Sequence, residues 1–235
     1  MKKYVLLSAV ALATLITSCC DYSYEEEPNR VFIEGLTVET VAHEYFEEAR
    51  TQTPVISAPA ERIPIDGFAE MLEIDTTFMK YWDVVCNGQK VNAKGDAVLM
   101  FHRIPKFMVV HADGKVACYK DFRNLGNEIV SLDLTNCICA TCVGYITDSY
   151  IALLTPDQRI YNWNTDHLNR CLDFYSLADG TYIGSMKLPK EVCDMWLQDV
   201  HLENGLLEVY YTGHLFSEKY TYKFSKDIES LLNKE

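Results

Sequence analysis

The spacing of apolar and polar positions changes character once along this chain. Between Thr37 and Arg50, Val38, Val41, Ala42, Tyr45, Phe46 and Ala49 fall at i, i+3, i+4, i+7, i+8 and i+11 with acidic residues opposite. That period predicts one amphipathic helix over 37–50, with Thr37 as N-cap and Gly35 ending a short strand over 31–34. Residues 51–65 carry three prolines and little periodicity, which predicts an extended linker. From about residue 66 the pattern becomes short runs of β-branched and aromatic residues bounded by turn residues. Strands are predicted over 97–102, 107–111, 115–120, 129–132, 138–143, 150–154, 172–176, 182–187, 196–202, 206–211 and 220–224.

Three dipeptides mark tight hairpins among these strands: Asp113-Gly114, Asp179-Gly180 and Asn204-Gly205, all able to take the positive φ such turns require. No helical pattern separates the strands, so a parallel sheet is excluded and an antiparallel all-β domain is expected over 31–235. Many short strands at close spacing suit a sandwich, a barrel or a propeller. The tail from Ser225 to Leu232 is polar and helical in pattern, so the last sheet would keep an open edge unless another segment fills it. The β-prone segment 31–34, or failing it 62–65, is expected to pair beside 220–224.

Composition narrows the classes further. The chain has 235 residues, 49% hydrophobic and 23% charged, enough to build a packed core. Its formal net charge of −13 repels polyphosphate and argues against nucleic acid as a partner. At the start, Lys2 and Lys3 precede an apolar stretch from Tyr4 to Ile16, shorter than the ~20 residues a membrane span needs, and this reads as a signal peptide over 1–18. The following Ile16-Thr17-Ser18-Cys19 resembles the lipobox of bacterial lipoproteins. That resemblance implies cleavage before Cys19 and acylation of its sulfur; secretion without a lipid is the alternative. Asp21 and Glu25-Glu26-Glu27 make 19–30 a solvated acidic tether. The tether resembles the export signals of surface lipoproteins of the Bacteroides group, which implies an outer-membrane protein facing the cell exterior, with the periplasmic face as the other reading.

The strand rhythm carries a second resemblance. The run Leu172-Asp173-Phe174-Tyr175-Ser176-Leu177-Ala178-Asp179-Gly180-Thr181-Tyr182-Ile183-Gly184, preceded by a strand at 150–154 and followed by strands at 206–211 and 220–224, resembles the C-terminal blades of TolB-like six-bladed β-propeller lipoproteins. The stretch VVHADGKVACYKDF over 109–122 resembles an earlier copy of the same hairpin, so the likeness covers 96–226. It implies a propeller-like fold. Blades of ~40–50 residues fit only about four or five times behind the anchor, so the propeller would be reduced in blades. A β-sandwich or irregular all-β domain is the alternative.

Chemistry-bearing motifs are sparse. Beyond Cys19 and Cys20 the cysteines are Cys86, Cys118, Cys137, Cys139, Cys142, Cys171 and Cys193. Only Cys139-x-x-Cys142 has the spacing of a zinc knuckle, with no second knuckle, so no metal or other cofactor is expected and the thiols are read as small apolar residues. The six histidines, His43, His102, His111, His167, His201 and His214, form no metal-binding pair and read as surface or partly buried polar residues. The chain has no Gly-x-Ser-x-Gly elbow, no phosphate loop and no dinucleotide-binding glycine turn. Asp166-His167 offers a carboxylate–imidazole pair in a loop. Loops can present aromatic rings that strands bury, so Tyr161, Trp163, Asn164 and His167 form the candidate ligand-binding cluster. The expected function is a lipid-anchored envelope protein that binds a protein, peptide or glycan without catalysis. An envelope hydrolase or lyase on the same scaffold is the alternative.

Overall fold

The computed structural model describes residues 27–47, 70–73, 86–101, 105–123, 143–156, 170–189, 196–212 and 216–232. Among the described residues, twelve strands make three four-stranded antiparallel sheets. The first sheet contains β2 (Cys86–Val91), β3 (Ala97–Phe101), β4 (Lys106–Val110) and β5 (Val116–Lys120), paired in chain order. The second contains β6 (Val143–Ile146), β7 (Tyr150–Pro156), β8 (Arg170–Ser176) and β9 (Tyr182–Lys187), again in chain order. The third is ordered β1-β12-β11-β10, from β1 (Val38–Phe46), β10 (Trp196–Glu203), β11 (Leu206–Thr212) and β12 (Ser217–Phe224), and a short helix α1 (Ile228–Leu232) follows it. The fold is all-β, antiparallel and propeller-like, built of successive up-and-down sheets that do not close into a ring among the described residues.

The predicted turns form as their residues dictate. Gly114 and Gly180 take φ of +87° and +70°, and Asn204 and Gly205 take +51° and +76° between the paired Glu203 and Leu206, the two-residue loop with both φ positive that right-twisted strands favour. Strand β9 occupies the predicted residues, and β3, β4, β5, β7, β8, β10, β11 and β12 overlap theirs. The strand expected at 129–132 lies outside the described residues, as do 138–142 of the next, whose last residue Val143 begins β6. Residues 86–91, which carried no strand prediction, form β2.

Two expectations at the N-terminus are corrected. The segment read as a helix over 37–50 is the strand β1 across Val38–Phe46, paired from Val38↔Phe224 to Phe46↔Ser217. Its β-branched and aromatic content suits a strand, and β12 offers a row of backbone donors and acceptors that no local helix could satisfy. The extra residue the helical spacing masks is absorbed as a bulge between Thr40 and Ala42. The third sheet is thus closed by an N-terminal strand, as expected in kind, but by β1 and not by 31–34; the fallback segment 62–65 lies outside the described residues. Phe32 instead makes a single parallel bridge to Ser185 on β9, with Ser185 N donating to Val31 O at 2.7 Å and Ile33 N donating to Ser185 O at 2.9 Å.

The second sheet is buried on both faces. Alternation along β7 and β8 sends Ala152, Leu154, Leu172 and Phe174 toward Val200, Leu207, Val209 and Tyr222 of the third sheet. The intervening Ile151, Leu153 and Tyr175 meet Val98, Met100, Phe107 and Val109 of the first. Each fully buried large side chain stabilises the fold by about 1.5–3 kcal/mol relative to exposure. Sheets stacked on both faces of a third also depart from a two-layer sandwich.

Candidate functional site

The edge strand β6 packs against two other edge strands, β2 and β10. Where they meet, a β-bulge between Leu197 and Asp199 re-aims the Asp199 carboxylate. Asp199 Oδ1 accepts from Lys90 Nζ of β2 at 2.6 Å and from the amide of Val200 at 2.8 Å, and Asp199 Oδ2 lies 2.7 Å from His201 Nε2. Lys90 Nζ also faces His201 Nδ1 at 3.4 Å. Burial alone would push the Asp199 carboxyl upward. Hydrogen bonds from His201 and Lys90, with the charge of Lys90, outweigh it and hold the carboxyl at about 2. The imidazole is meanwhile half exposed.

From this cluster a polar row runs across the third sheet. Residues directly opposite one another share a face, so the register places Asp199 beside Tyr210, Tyr210 beside Lys219, and Lys219 beside Glu44. His201 and Glu208 stand opposite each other one step along. Tyr210 donates its hydroxyl proton to Glu208 Oε2 at 2.6 Å, and Lys219 Nζ reaches Glu44 at 2.5 Å and Glu208 at 3.3 Å. The Tyr210 hydroxyl chiefly lowers the Glu208 carboxyl, and the bond to Glu44 chiefly raises the Lys219 ammonium. His201 meets the Tyr210 ring edge-on at 5.6 Å. The result is an alternation of donors, acceptors and one ring, with His201, Glu208 and Tyr210 half-buried.

A second polar centre is enclosed between the first and second sheets. Asp173, fully buried on β8, is gripped by Arg30 Nη1 at 2.8 Å, Thr155 Oγ1 at 2.5 Å and Ser185 Oγ at 2.5 Å. Tyr182 hydrogen-bonds Ser185 and stacks on Phe122 at 4.0 Å, while Arg30 lies over that ring at 5.3 Å. Close by, Arg123 makes a two-pronged pair with Asp121 at 2.9 and 2.6 Å. Burial pushes the Asp173 carboxyl up to about 6 despite the Arg30 charge. This centre clamps the N-terminal arm to the sheets.

Cys19, Tyr161, Trp163, Asn164 and His167, and Asp166 with them, lie outside the described residues. So do Cys137, Cys139, Cys142 and Cys193. Cys118 is a free thiol, half-buried in β5, and Cys171 is buried in β8, in line with their reading as apolar residues. Three of the histidines are partly exposed and each meets a carboxylate: His43 with Glu218 at 3.1 Å, His111 with Asp96 at 3.3 Å and His201 with Asp199 at 2.7 Å. The first two pairs join separate strands or turns and leave no local signal. Asp199-x-His201 did leave one, since i and i+2 share a strand face. Among the described residues, no group of three or more His, Cys, Asp or Glu is arranged to hold a metal ion, and no helix is long and apolar enough to cross a membrane.

No protein-family model matches the chain, and no curated protein matches it. Among solved structures, a streptogramin B lyase structure overlaps 60% of this chain and 66% of its own, at 9% identity and a TM-score of 0.23.

Proposed function

We propose that this chain is a lipid-anchored envelope protein whose propeller-like domain binds a glycan at the Lys90–Asp199–His201 cluster. One observation carries the ligand class: the half-exposed row of His201, Glu208, Tyr210 and Lys219 offers fixed donors and acceptors around a single ring. Sugars present hydroxyls that both donate and accept, together with apolar ring faces, and such a row complements them. The strong net negative charge is compatible with a neutral or cationic glycan and unfavourable for a polyphosphate. The anchor rests on Cys19 in its lipobox-like context, and the acidic tether supports an outward-facing site on the outer membrane.

A glycan panel probed with the soluble domain, residues 20–235, tests the reading. Retention of a defined glycan family, weakened at least about tenfold by Tyr210→Ala, is the expected result. Absence of retention, or retention indifferent to that change, overturns it. The 2.7 Å Asp199–His201 pair favours a second reading as a hydrolase or lyase, since a carboxylate can orient an imidazole for proton transfer. Release of new reducing or unsaturated ends from the retained glycan, abolished by His201→Ala, would select it. For the anchor, Cys19→Ala is expected to abolish palmitate labelling; label retained by that variant refutes acylation at Cys19.

A further inference from the structure

The outermost strand of the third sheet stands apart from every other strand of the domain. All eight residues of β1 after Val38 are exposed, including Val41 at 46% and Tyr45 at 58%. Its inner edge pairs with β12, and no described residue pairs with its outer edge. Beyond the bulge at Thr40–Ala42, residues 42–46 run in unbroken register and therefore present regular backbone donors and acceptors on the open side. An open edge of this kind is a template for one more strand.

The side chains beside that edge specify what the strand would carry. On one face Tyr45 stacks with Phe216 at 5.3 Å and His43 with Tyr220 at 4.2 Å, making a shelf of rings next to the edge. The charges along it are unbalanced, with Glu39, Glu44, Glu47 and Glu218 against Lys219 and Lys223, and residues 31–47 contain no lysine or arginine. A second copy of this chain would bring the same carboxylates to the contact and be repelled. A strand with cations at alternate positions would lay them over the rings and beside Glu218, which shares that face, where cation–π and ionic attraction act together.

We infer that β1 is a docking edge for an extended basic segment of another protein, added as a fifth strand along residues 42–46. This edge lies across the third sheet from the Lys90–Asp199–His201 cluster and shares Glu44 and Lys219 with the polar row, but the inference does not rest on the glycan reading.

The probe is a fluorescein-labelled octapeptide of alternating lysine and valine, titrated against the soluble domain by fluorescence anisotropy. Three comparisons are expected to weaken binding at least about tenfold: glutamate in place of lysine, proline in place of two central valines, and Tyr45→Lys in the domain. Glu47→Lys, at the exposed end of β1, should weaken it more modestly and serves if Tyr45→Lys fails to melt cooperatively. Amide exchange over residues 42–46 should slow when the peptide is present. No measurable binding overturns the inference. So does equal binding of the proline peptide, which would mean ion pairing alone, or binding unaffected by both domain variants.

Discussion

The packing of the β8–β9 hairpin tip against the first sheet can be isolated by comparing two glycines. Gly180 and Gly114 both occupy hairpin turns at positive φ, +70° and +87°. A Cβ at Gly114 meets nothing within 4 Å, whereas one at Gly180 would lie 2.2 Å from Cγ and Cδ1 of Tyr119 on β5. Gly114→Ala therefore carries only the left-handed backbone penalty, about 1 kcal/mol. Gly180→Ala carries the same penalty plus the displacement of a packed ring, an overpacking term of ~1–3 kcal/mol, for a total of ~2–4 kcal/mol. For a domain of this size that is a fall in Tm of roughly 5–15 °C, against ~3 °C for Gly114→Ala. Urea denaturation of both variants, and of Gly180→Ala in a Tyr119→Ala background, closes a double-mutant cycle. With the ring gone, the loss from Gly180→Ala should return to about 1 kcal/mol. Equal losses at the two glycines would refute the contact between the hairpin tip and the first sheet.

Two further outcomes follow from the polar centres. Arg30→Met leaves Asp173 buried without its cation, a loss of about 3–5 kcal/mol at pH 7. Because the folded Asp173 carboxyl sits at about 6, above its unfolded value, its contribution is greatest at low pH and fades as pH rises through 6. The Arg30→Met penalty should accordingly shrink between pH 7 and pH 5, where the carboxyl is protonated, and a penalty constant across that range would contradict the pairing. Asp199 has the opposite sign: its folded carboxyl lies at about 2, so its contribution is present above pH ~4 and disappears as pH falls toward 2. Asp199→Asn should cost about 1–2 kcal/mol at neutral pH, allowing for screening at this half-open site, and only about a third of that at pH 2.5; denaturation midpoints at the two pH values check it.

The local rules were legible wherever one residue pair or one short run decided the outcome. Asn204-Gly205 forms its two-residue turn because few residues other than glycine and asparagine accept positive φ. Strand β9 coincides with the predicted run because the Asp179-Gly180 turn before it fixes where it begins. The site was legible only at Asp199-x-His201, where the strand period sets two side chains on one face. Lys90, Glu44 and Lys219 reach the site from other strands, and the register that aligns them is a property of pairing that the order of residues does not state.

The N-terminal arm shows the division most clearly. By itself, the sequence determined which of residues 38–46 are apolar, a spacing that predicts a helix, and that the polar, helical pattern over 225–232 is a poor fourth strand for the last sheet. Only the tertiary structure decided for a strand over that helix. A lone helix satisfies its own backbone but leaves the outer edge of β12 unpaired, whereas the strand satisfies both segments at once, even with Val41, Tyr45 and Phe46 left exposed. Residue spacing records which side chains can share a face; which backbone edge is vacant, and needs a partner, is set by the rest of the fold.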